Sequence, residues 1–235
     1  MKAAILAGGY GKRLRPLTET IPKPLLPVGE RGIIEWQISW LKQHGISEIV
    51  ICAGYLKERI VERLGDGSRY GVKIEYAFEE KPLGTGGALK NARHLLENED
   101  IFLLVNGDVL TDLNPLKLVD ALTEDYITVI ALTPLPSPYG IVQFDHKTWR
   151  ITYFAEKPKI KDYWINAGVY AMRPAIFDYL PDEGNMERLT LPVLANQGLL
   201  RAYPYDNCTW FSIDNHKDLE EASKIIPNLR IFKEY

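Results

Sequence analysis

Apolar residues follow two alternating rhythms along the first half of the chain. Short unbroken runs, "AAIL" at 3–6, "EIVICAG" at 48–54, "VKIEYAF" at 72–78 and "IFLLVNGD" at 101–108, predict buried strands. Between them the apolar positions recur at helical spacing: Ile34, Ile38 and Leu41 before a stop at Gly45, then Leu56, Ile60, Val61 and Leu64, then Ala88, Ala92, Leu95 and Leu96. Strand and helix in strict alternation predict a mostly parallel sheet with helices on both faces. After about residue 125 the pattern turns richer in strand. "YITVIALTP", "GIVQFD", "RITYFAEKP" and "WINAGVYAM" read as short strands divided by Pro, Gly and charged residues. Helices are expected near 174–180 and 187–196, strands at "LLRAYPY" and "TWFSID", and a last helix around 216–226. The expected fold class is α/β, a Rossmann-like three-layer αβα arrangement around a mixed, mostly parallel central sheet. One domain is expected over 1–235, its first half at about 1–125 and its second at about 126–235.

Composition narrows the partners. The chain has 235 residues, 46% hydrophobic and 25% charged, with net charge -3 and a pI near 5.9. A broad affinity for nucleic acid or anionic membrane needs a basic face that this balance does not supply. Only five apolar residues follow Lys2, too short a run for a signal peptide, and no apolar stretch reaches membrane-spanning length. Cys52 and Cys208 stand far apart and read as reduced, packed thiols. A cytoplasmic protein with no nucleic-acid or membrane partner is expected. A local pocket for a small anion stays open.

Such a pocket is suggested at residues 4–24, "AILAGGYGKRLRPLTETIPKP". The loop leaves the carboxyl end of the first strand, the edge where parallel α/β sheets bind ligands. Gly8, Gly9 and Gly11 let the backbone turn and bring its N–H groups near an oxygen-rich ligand. Arg13 offers a planar fork for phosphate oxygens, and Lys12, Arg15 and Lys23 add charge. No acidic residue intervenes before Glu19. Neither the dinucleotide G-x-G-x-x-G fingerprint nor the Walker A motif fits, because Leu14 and Arg13 stand where those motifs need Gly and Ser or Thr. A dinucleotide-dependent dehydrogenase is therefore disfavoured.

The whole string is more specific than its glycines. "LAGGYGKRLRPLT" followed by "KPLLPVG" closely resembles the signature of the sugar-1-phosphate nucleotidyltransferases, or nucleotide-sugar pyrophosphorylases. The resemblance continues, in the family's order, through "PLGTGGAL" (82–89), "NGD" (106–108), "YGIV" (139–142), "EKP" (156–158), "NAGVY" (166–170) and "FSID" (211–214). It implies an enzyme that joins an NTP to a sugar-1-phosphate and releases pyrophosphate. It also implies a nucleotide-binding first half and a sugar-phosphate-binding second half. Larger relatives carry a C-terminal β-helix whose hexapeptide repeats are not found in this sequence, so that appendage is not expected. Oligomeric state is not legible, and a homo-oligomer stays open.

In this chemistry the sugar phosphate attacks the α-phosphorus. A phosphate monoester has a second pKa of about 6, so the nucleophile is largely ionised at neutral pH and needs no general base. His44, His94, His146 and His216 are accordingly read as ordinary histidines. The difficulty is electrostatic, and cations and positioning must meet it. By resemblance, Arg13 contacts the β- and γ-phosphates, Lys23 sits near the α-phosphate, and Leu6, Ala7, Gly8, Gly9, Gly11 and Lys12 cradle the nucleotide. Asp108 and Asp214 match the family's two metal-binding aspartates, with Mg²⁺ as the expected cofactor. The family's usual "DIGT"-like ending reads "SIDNHKD" here, which weakens the match at Asp214. Lys157 of "EKP" is expected to grip the sugar phosphate. Glu156, Asn166 and backbone at Gly140 and Gly168 are expected to hold sugar hydroxyls. Trp149, Trp164 and Trp210 are candidates for a sugar wall, but aromatic residues at strand positions are more often core, which is the expectation here.

The base is expected over "FEEKPLGTGG", at Gly84 and Thr85, with Glu79 or Glu80 where pyrimidine-using relatives often carry glutamine. An ionised carboxylate only accepts hydrogen bonds. It suits the adjacent N1–H and N2–H₂ donors of guanine and repels the carbonyls of uracil and thymine. "PLGTGGAL" also looks most like guanylyltransferases for mannose- or heptose-1-phosphate, so GTP is the expected nucleotide. A dTTP- or UTP-dependent glucose-1-phosphate enzyme and a catalytically silent regulatory paralogue are the alternatives. The latter is disfavoured because Arg13, Lys23, Asp108, Lys157 and Asp214 are all present.

Overall fold

The structure is a computed structural model that describes residues 1–229 and 232. Seven strands form the central sheet: β1 (Ala3–Ala7), β2 (Glu48–Ala53), β3 (Lys73–Phe78), β4 (Phe102–Asn106), β5 (Thr128–Pro136), β6 (Lys159–Met172) and β7 (Leu200–Pro204). Their order is β7-β5-β6-β4-β1-β2-β3. Every neighbouring pair is parallel except those of β6, which runs antiparallel to both β4 and β5. The expected mixed, mostly parallel sheet is what the chain forms, and it runs continuously through both halves of the sequence.

The strands read as unbroken apolar runs because both faces of the sheet are covered. Ile5, Leu103 and Val105 point to one side, where they pack with Trp36, Trp40, Ile60 and Leu118. Ala4, Phe102 and Leu104 point to the other, against Ala88, Leu89, Tyr170 and Phe177. The first side is covered by helices α1 (Ile33–Gln43), α2 (Lys57–Leu64), α4 (Leu116–Ala121) and α5 (His216–Ile225), and the second by α3 (Gly84–Asn91) with the segment 174–196. Among the described residues no helix is long and apolar enough to cross a membrane. Cys52 and Cys208 are both free and buried.

Several elements differ from the pattern. The third helix begins at Gly84, earlier than its apolar spacing shows, and breaks at Ala92 before a short turn, Arg93–Leu96. Its glycine-rich first turn is held from outside: the Gly86 and Gly87 N–H groups donate to the Gly184 carbonyl at 2.9 and 3.3 Å. That tertiary anchor outweighs the weak helix propensity of glycine. The expected helix at 174–180 is a 3₁₀ turn, Pro174–Asp178. That at 187–196 divides at Thr190 into Met186–Leu189 and Leu191–Asn196, with Pro192 inside the first turn of the second. Leu56 stands outside α2, as a left-handed residue with φ 52°.

One buried carboxylate fastens α1. Glu35 accepts from the Gly32 N–H at 2.7 Å, from Tyr70 Oη at 2.7 Å and from Arg63 Nε at 3.2 Å. Burial pushes its carboxyl up, but the Gly32 N–H, the Tyr70 hydroxyl and the Arg63 guanidinium more than offset this and hold it below the usual range. Glu35→Ala leaves a buried N–H and a hydroxyl without their acceptor. It should cost about 2 kcal/mol, read as a melting temperature lower by about 4–8 °C. The lowered pKa means this contribution is present above the unfolded value and is lost as pH falls through the folded one. The gap between wild type and Glu35→Ala should therefore narrow in acid. A gap unchanged between neutral pH and pH about 3, below the usual range of a glutamate, contradicts the ionised network.

Candidate active site

The carboxyl end of β1 opens into the loop 8–25, which makes three short 3₁₀ turns at Lys12–Leu14, Leu17–Glu19 and Lys23–Leu25. Gly11 enters this loop at φ 60°, and a Cβ there would press on the Thr18 side chain. Thr18 Oγ1 donates to the Gly11 carbonyl at 2.9 Å, closing the loop on itself. The fold brings the loop's cations back over the sheet edge. There they meet two aspartates that lie far away in sequence.

Asp108 follows β4, and Asp214 follows the short strand Trp210–Ser212. That strand pairs antiparallel with Val109–Thr111, Ser212 opposite Val109. The Ile213 N–H donates to the Asp108 carbonyl at 2.9 Å, so the ladder sets both carboxylates at one end. Buried Gln37 of α1 braces the turn, its Nε2 donating to the Asn106 and Val109 carbonyls, both at 2.8 Å. Gly107 lies so close to the Leu6 carbonyl that a Cβ could not be accommodated. On the other side, the Asp214 N–H donates to Asp218 at 2.8 Å, part of the N-terminal cap of α5.

Two cations complete the group. Lys23 Nζ lies 2.7 Å from Asp108 Oδ2 and 3.4 Å from Asp214 Oδ1, and Arg13 reaches the same Asp214 oxygen at 2.7 Å. The Lys23 side chain is only 14% exposed, whereas that of Arg13 is 74% exposed. Two carboxylates converging on one small cation suit a hard ion such as Mg²⁺, which takes one or two carboxylates and fills its shell with phosphate oxygens and water. Among the described residues no group of three or more His, Cys, Asp or Glu offers a self-sufficient metal site.

These residues rim a cavity of about 430 Å³, within the range usual for small-molecule sites. Leu6, Ala7, Gly8, Gly9, Gly11 and Lys12 line it, as do Glu79, Gly84 and Thr85. Glu80 does not. It points to solvent, 87% exposed, and pairs with Lys57 at 2.8 Å. The alternation of β3 carries on past its end and turns neighbouring side chains to opposite sides. Glu79 is buried and accepts from the Leu83 N–H at 3.0 Å, and a Cβ on Gly8 would collide with its Oε1. Burial pushes the Glu79 carboxyl above its ordinary value, with the Leu83 N–H opposing.

The second-half residues are less gathered. Asn166 and Gly168 sit on β6 behind Asn106: the Gly168 N–H donates to Asn166 Oδ1 at 2.9 Å, and a Gly168 Cβ would stand 2.9 Å from Asn106 Nδ2. Neither lines the cavity. Gly140, Glu156 and Lys157 lie outside it too, at the base of a two-stranded ribbon made by Ile141–Phe144 and Ile151–Ala155. Gly140 faces Glu156, while Lys157, at φ 45°, is exposed. Glu156 and Lys157 form a bend directly before β6, and the Pro158 carbonyl accepts from the Ser137 N–H at 2.9 Å, just past the end of β5. Against the expectation of core, Trp149 and Trp164 are exposed, and Trp210 is half-buried, its Nε1 donating to the Ala167 carbonyl at 2.8 Å. Arg15 also stands apart from the cavity.

Sequence reasoning missed Asn106, Gly107, Pro82 and Asn185, all of which line the cavity. The first two stand inside "NGD", where only the aspartate was singled out. Asn185 carries no local signal. It arrives because Gly184 packs against Gly84, and Asn185 Oδ1 accepts from the Thr85 N–H at 3.4 Å.

The chain is similar to several known proteins. The family model described as nucleotidyl transferase matches residues 2–228. "Mannose-1-phosphate guanylyltransferase catalytic subunit beta" of Danio rerio is 35% identical over 225 residues, covering 93% of this chain and 62% of the relative. The chain thus spans 62% of the length of that curated relative. HddC from Yersinia pseudotuberculosis, solved in complex with GMP-PN, superimposes with a TM-score of 0.75 at 25% identity, covering 95% of this chain and 98% of that one. A Bacillus anthracis protein solved with sucrose, provisionally named a glucose-1-phosphate thymidylyltransferase, gives 0.76 at 26% identity, covering 97% and 96%.

Proposed function

The chain belongs to the nucleotidyl transferase family, and from that membership we propose that it transfers a guanylyl group from GTP to mannose-1-phosphate or a heptose-1-phosphate. An oxygen of the sugar phosphate attacks the α-phosphorus of the nucleotide. The bond from that phosphorus to the bridging oxygen breaks, and pyrophosphate leaves with the electron pair. The observation that carries this reading is the meeting of Arg13, Lys23, Asp108 and Asp214 at the mouth of a glycine loop.

Each residue then has a physical task. The backbone of Gly8 to Gly11 accommodates the triphosphate where a side chain would intrude. Lys23 neutralises charge at the α-phosphate, and Arg13, on its exposed stem, follows the β- and γ-phosphates as pyrophosphate departs. Asp108 and Asp214 would hold a divalent cation, Mg²⁺, which would supply charge neutralisation to the reacting phosphates. Glu79 reads the base, and Gly84 and Thr85 form its floor. The sugar phosphate extends from the cavity toward the ribbon. There Lys157 meets its phosphate, and Glu156, Asn166 and backbone at Gly140 and Gly168 meet its hydroxyls. In this reading the chain acts as one domain on diffusible cytoplasmic substrates.

The guanine assignment leans on Glu79, on the name of the Danio rerio relative and on the guanine nucleotide analogue bound to HddC. A pyrophosphate-release assay should test GTP, ATP, UTP and dTTP, each with mannose-, heptose- and glucose-1-phosphate and Mg²⁺. GTP with mannose- or heptose-1-phosphate should give the highest kcat/KM. Preference for dTTP or UTP removes the guanine reading and leaves the transferase. Silence with every pair removes the transferase.

A further inference from the structure

The cation between the two aspartates is part of the protein. Lys23 Nζ spans Asp108 Oδ2 and Asp214 Oδ1, and its side chain is largely buried there. Arg13 shares the Asp214 oxygen, so two carboxylates are balanced by two cations with no charge left over. Ser212 Oγ adds a 3.3 Å bond to Asp214 Oδ2. A bare divalent cation approaching this group would meet balanced charge. To reach both carboxylates it would have to expel the largely buried lysine ammonium from the two partners that hold it.

A nucleoside triphosphate changes that balance. With its metal it still carries net negative charge, and it offers phosphate oxygens to both Lys23 and Arg13. Each cation then exchanges a carboxylate partner for a phosphate partner, and both aspartates are freed together. We infer that Lys23 fills the divalent-cation position between Asp108 and Asp214 in the nucleotide-free protein and yields it only to a cation that arrives with a triphosphate. This rests on the transferase reading of the same site and adds an order of events to it. Lys23 is then a latch as well as a phosphate contact. It keeps the aspartates closed to free metal, and its transfer to the nucleotide couples metal binding to nucleotide binding. That coupling is reciprocal by linkage.

Direct Mn²⁺ binding to the nucleotide-free protein, followed by the electron paramagnetic resonance signal of free Mn²⁺, tests the latch without reference to turnover. Wild type should bind weakly, and Lys23→Gln at least about tenfold more tightly, since a unit charge a few ångströms away has been removed. Lys23→Gln combined with Asp108→Asn should lose the gain, which locates the ion at the aspartates. Equal affinity for wild type and Lys23→Gln overturns the inference. So does a gain that survives Asp108→Asn. Should the variant fail to fold, the wild-type protein answers by amine-reactive labelling read by mass spectrometry. Mn²⁺ alone should leave labelling of Lys23 unchanged, and a rise in labelling overturns the latch. Equal Mn²⁺ affinities alongside normal pyrophosphate release would remove the latch and keep the transferase. Absence of release would remove the transferase, whatever the metal does.

Discussion

Asp108→Asn should lower kcat/KM by at least about a thousandfold while leaving the fold intact. A metal clamp on transferring phosphoryl groups supplies several kcal/mol, and about 4 kcal/mol corresponds to three decades in rate. Asparagine keeps the size of the side chain and an oxygen that can still accept from Lys23, so packing around the turn is preserved. What it loses is the charge that faces the cation. Gln37 and the ladder between Val109–Thr111 and Trp210–Ser212 hold this turn without help from the carboxylate. A melting temperature within a few degrees of wild type, measured beside pyrophosphate release, separates lost chemistry from lost structure. Turnover unchanged by the substitution would remove Asp108 from the site.

Glu79→Gln should shift the nucleotide preference. An ionised carboxylate accepts from two guanine donors, and hydrogen bonds to charged groups contribute about 1.5–3 kcal/mol each. Losing their charge should lower kcat/KM for GTP by about a hundredfold or more. The amide offers one donor and one acceptor, which matches the N–H beside a carbonyl of uracil or thymine. The ratio of UTP or dTTP to GTP turnover should therefore rise further than GTP turnover alone falls. A pH series adds an independent readout. Burial holds the Glu79 carboxyl above the ordinary value of 4.5, and the protonated form cannot accept from both donors. KM for GTP should climb as pH falls toward that raised pKa, and the climb should vanish in Glu79→Gln. An unchanged GTP preference in the variant would place base reading elsewhere in the cavity.

The parts of this site that were legible in the sequence are those with local signatures. The glycine loop was legible because glycines and cations directly after a strand pointed to an anion pocket, and the full string "LAGGYGKRLRPLT" resembled a family signature. Six of the seven sheet strands follow residue spacing closely, and the central β1, β2, β4 and β5 do so because strands buried on both faces are nearly continuous apolar runs. The seventh, β6, starts at Lys159, earlier than "WINAGVYAM", because backbone pairing with β5 extends beyond its apolar stretch. Helix α4 and the strand Val109–Thr111 escaped notice at six and three residues, too short to establish a period. That omission mattered, because the Val109–Thr111 ladder is what brings Asp214 to Asp108. Glu79 and Glu80 were indistinguishable in sequence, and only the direction of the chain leaving β3 separates them. Asn185 depends on glycine packed against glycine across a hundred residues, which no local pattern encodes.

In the proposed reaction one cationic and acidic cluster at the rim of the sheet receives both phosphorylated reactants. The most direct test is a crystal structure with a non-hydrolysable GTP analogue, mannose-1-phosphate and Mg²⁺. It should place the triphosphate along residues 8–13, the metal on Asp108 and Asp214, the guanine edge on Glu79, and the sugar phosphate between the α-phosphorus and Lys157. A triphosphate bound away from the glycine loop, or a metal that ignores both aspartates, would contradict it.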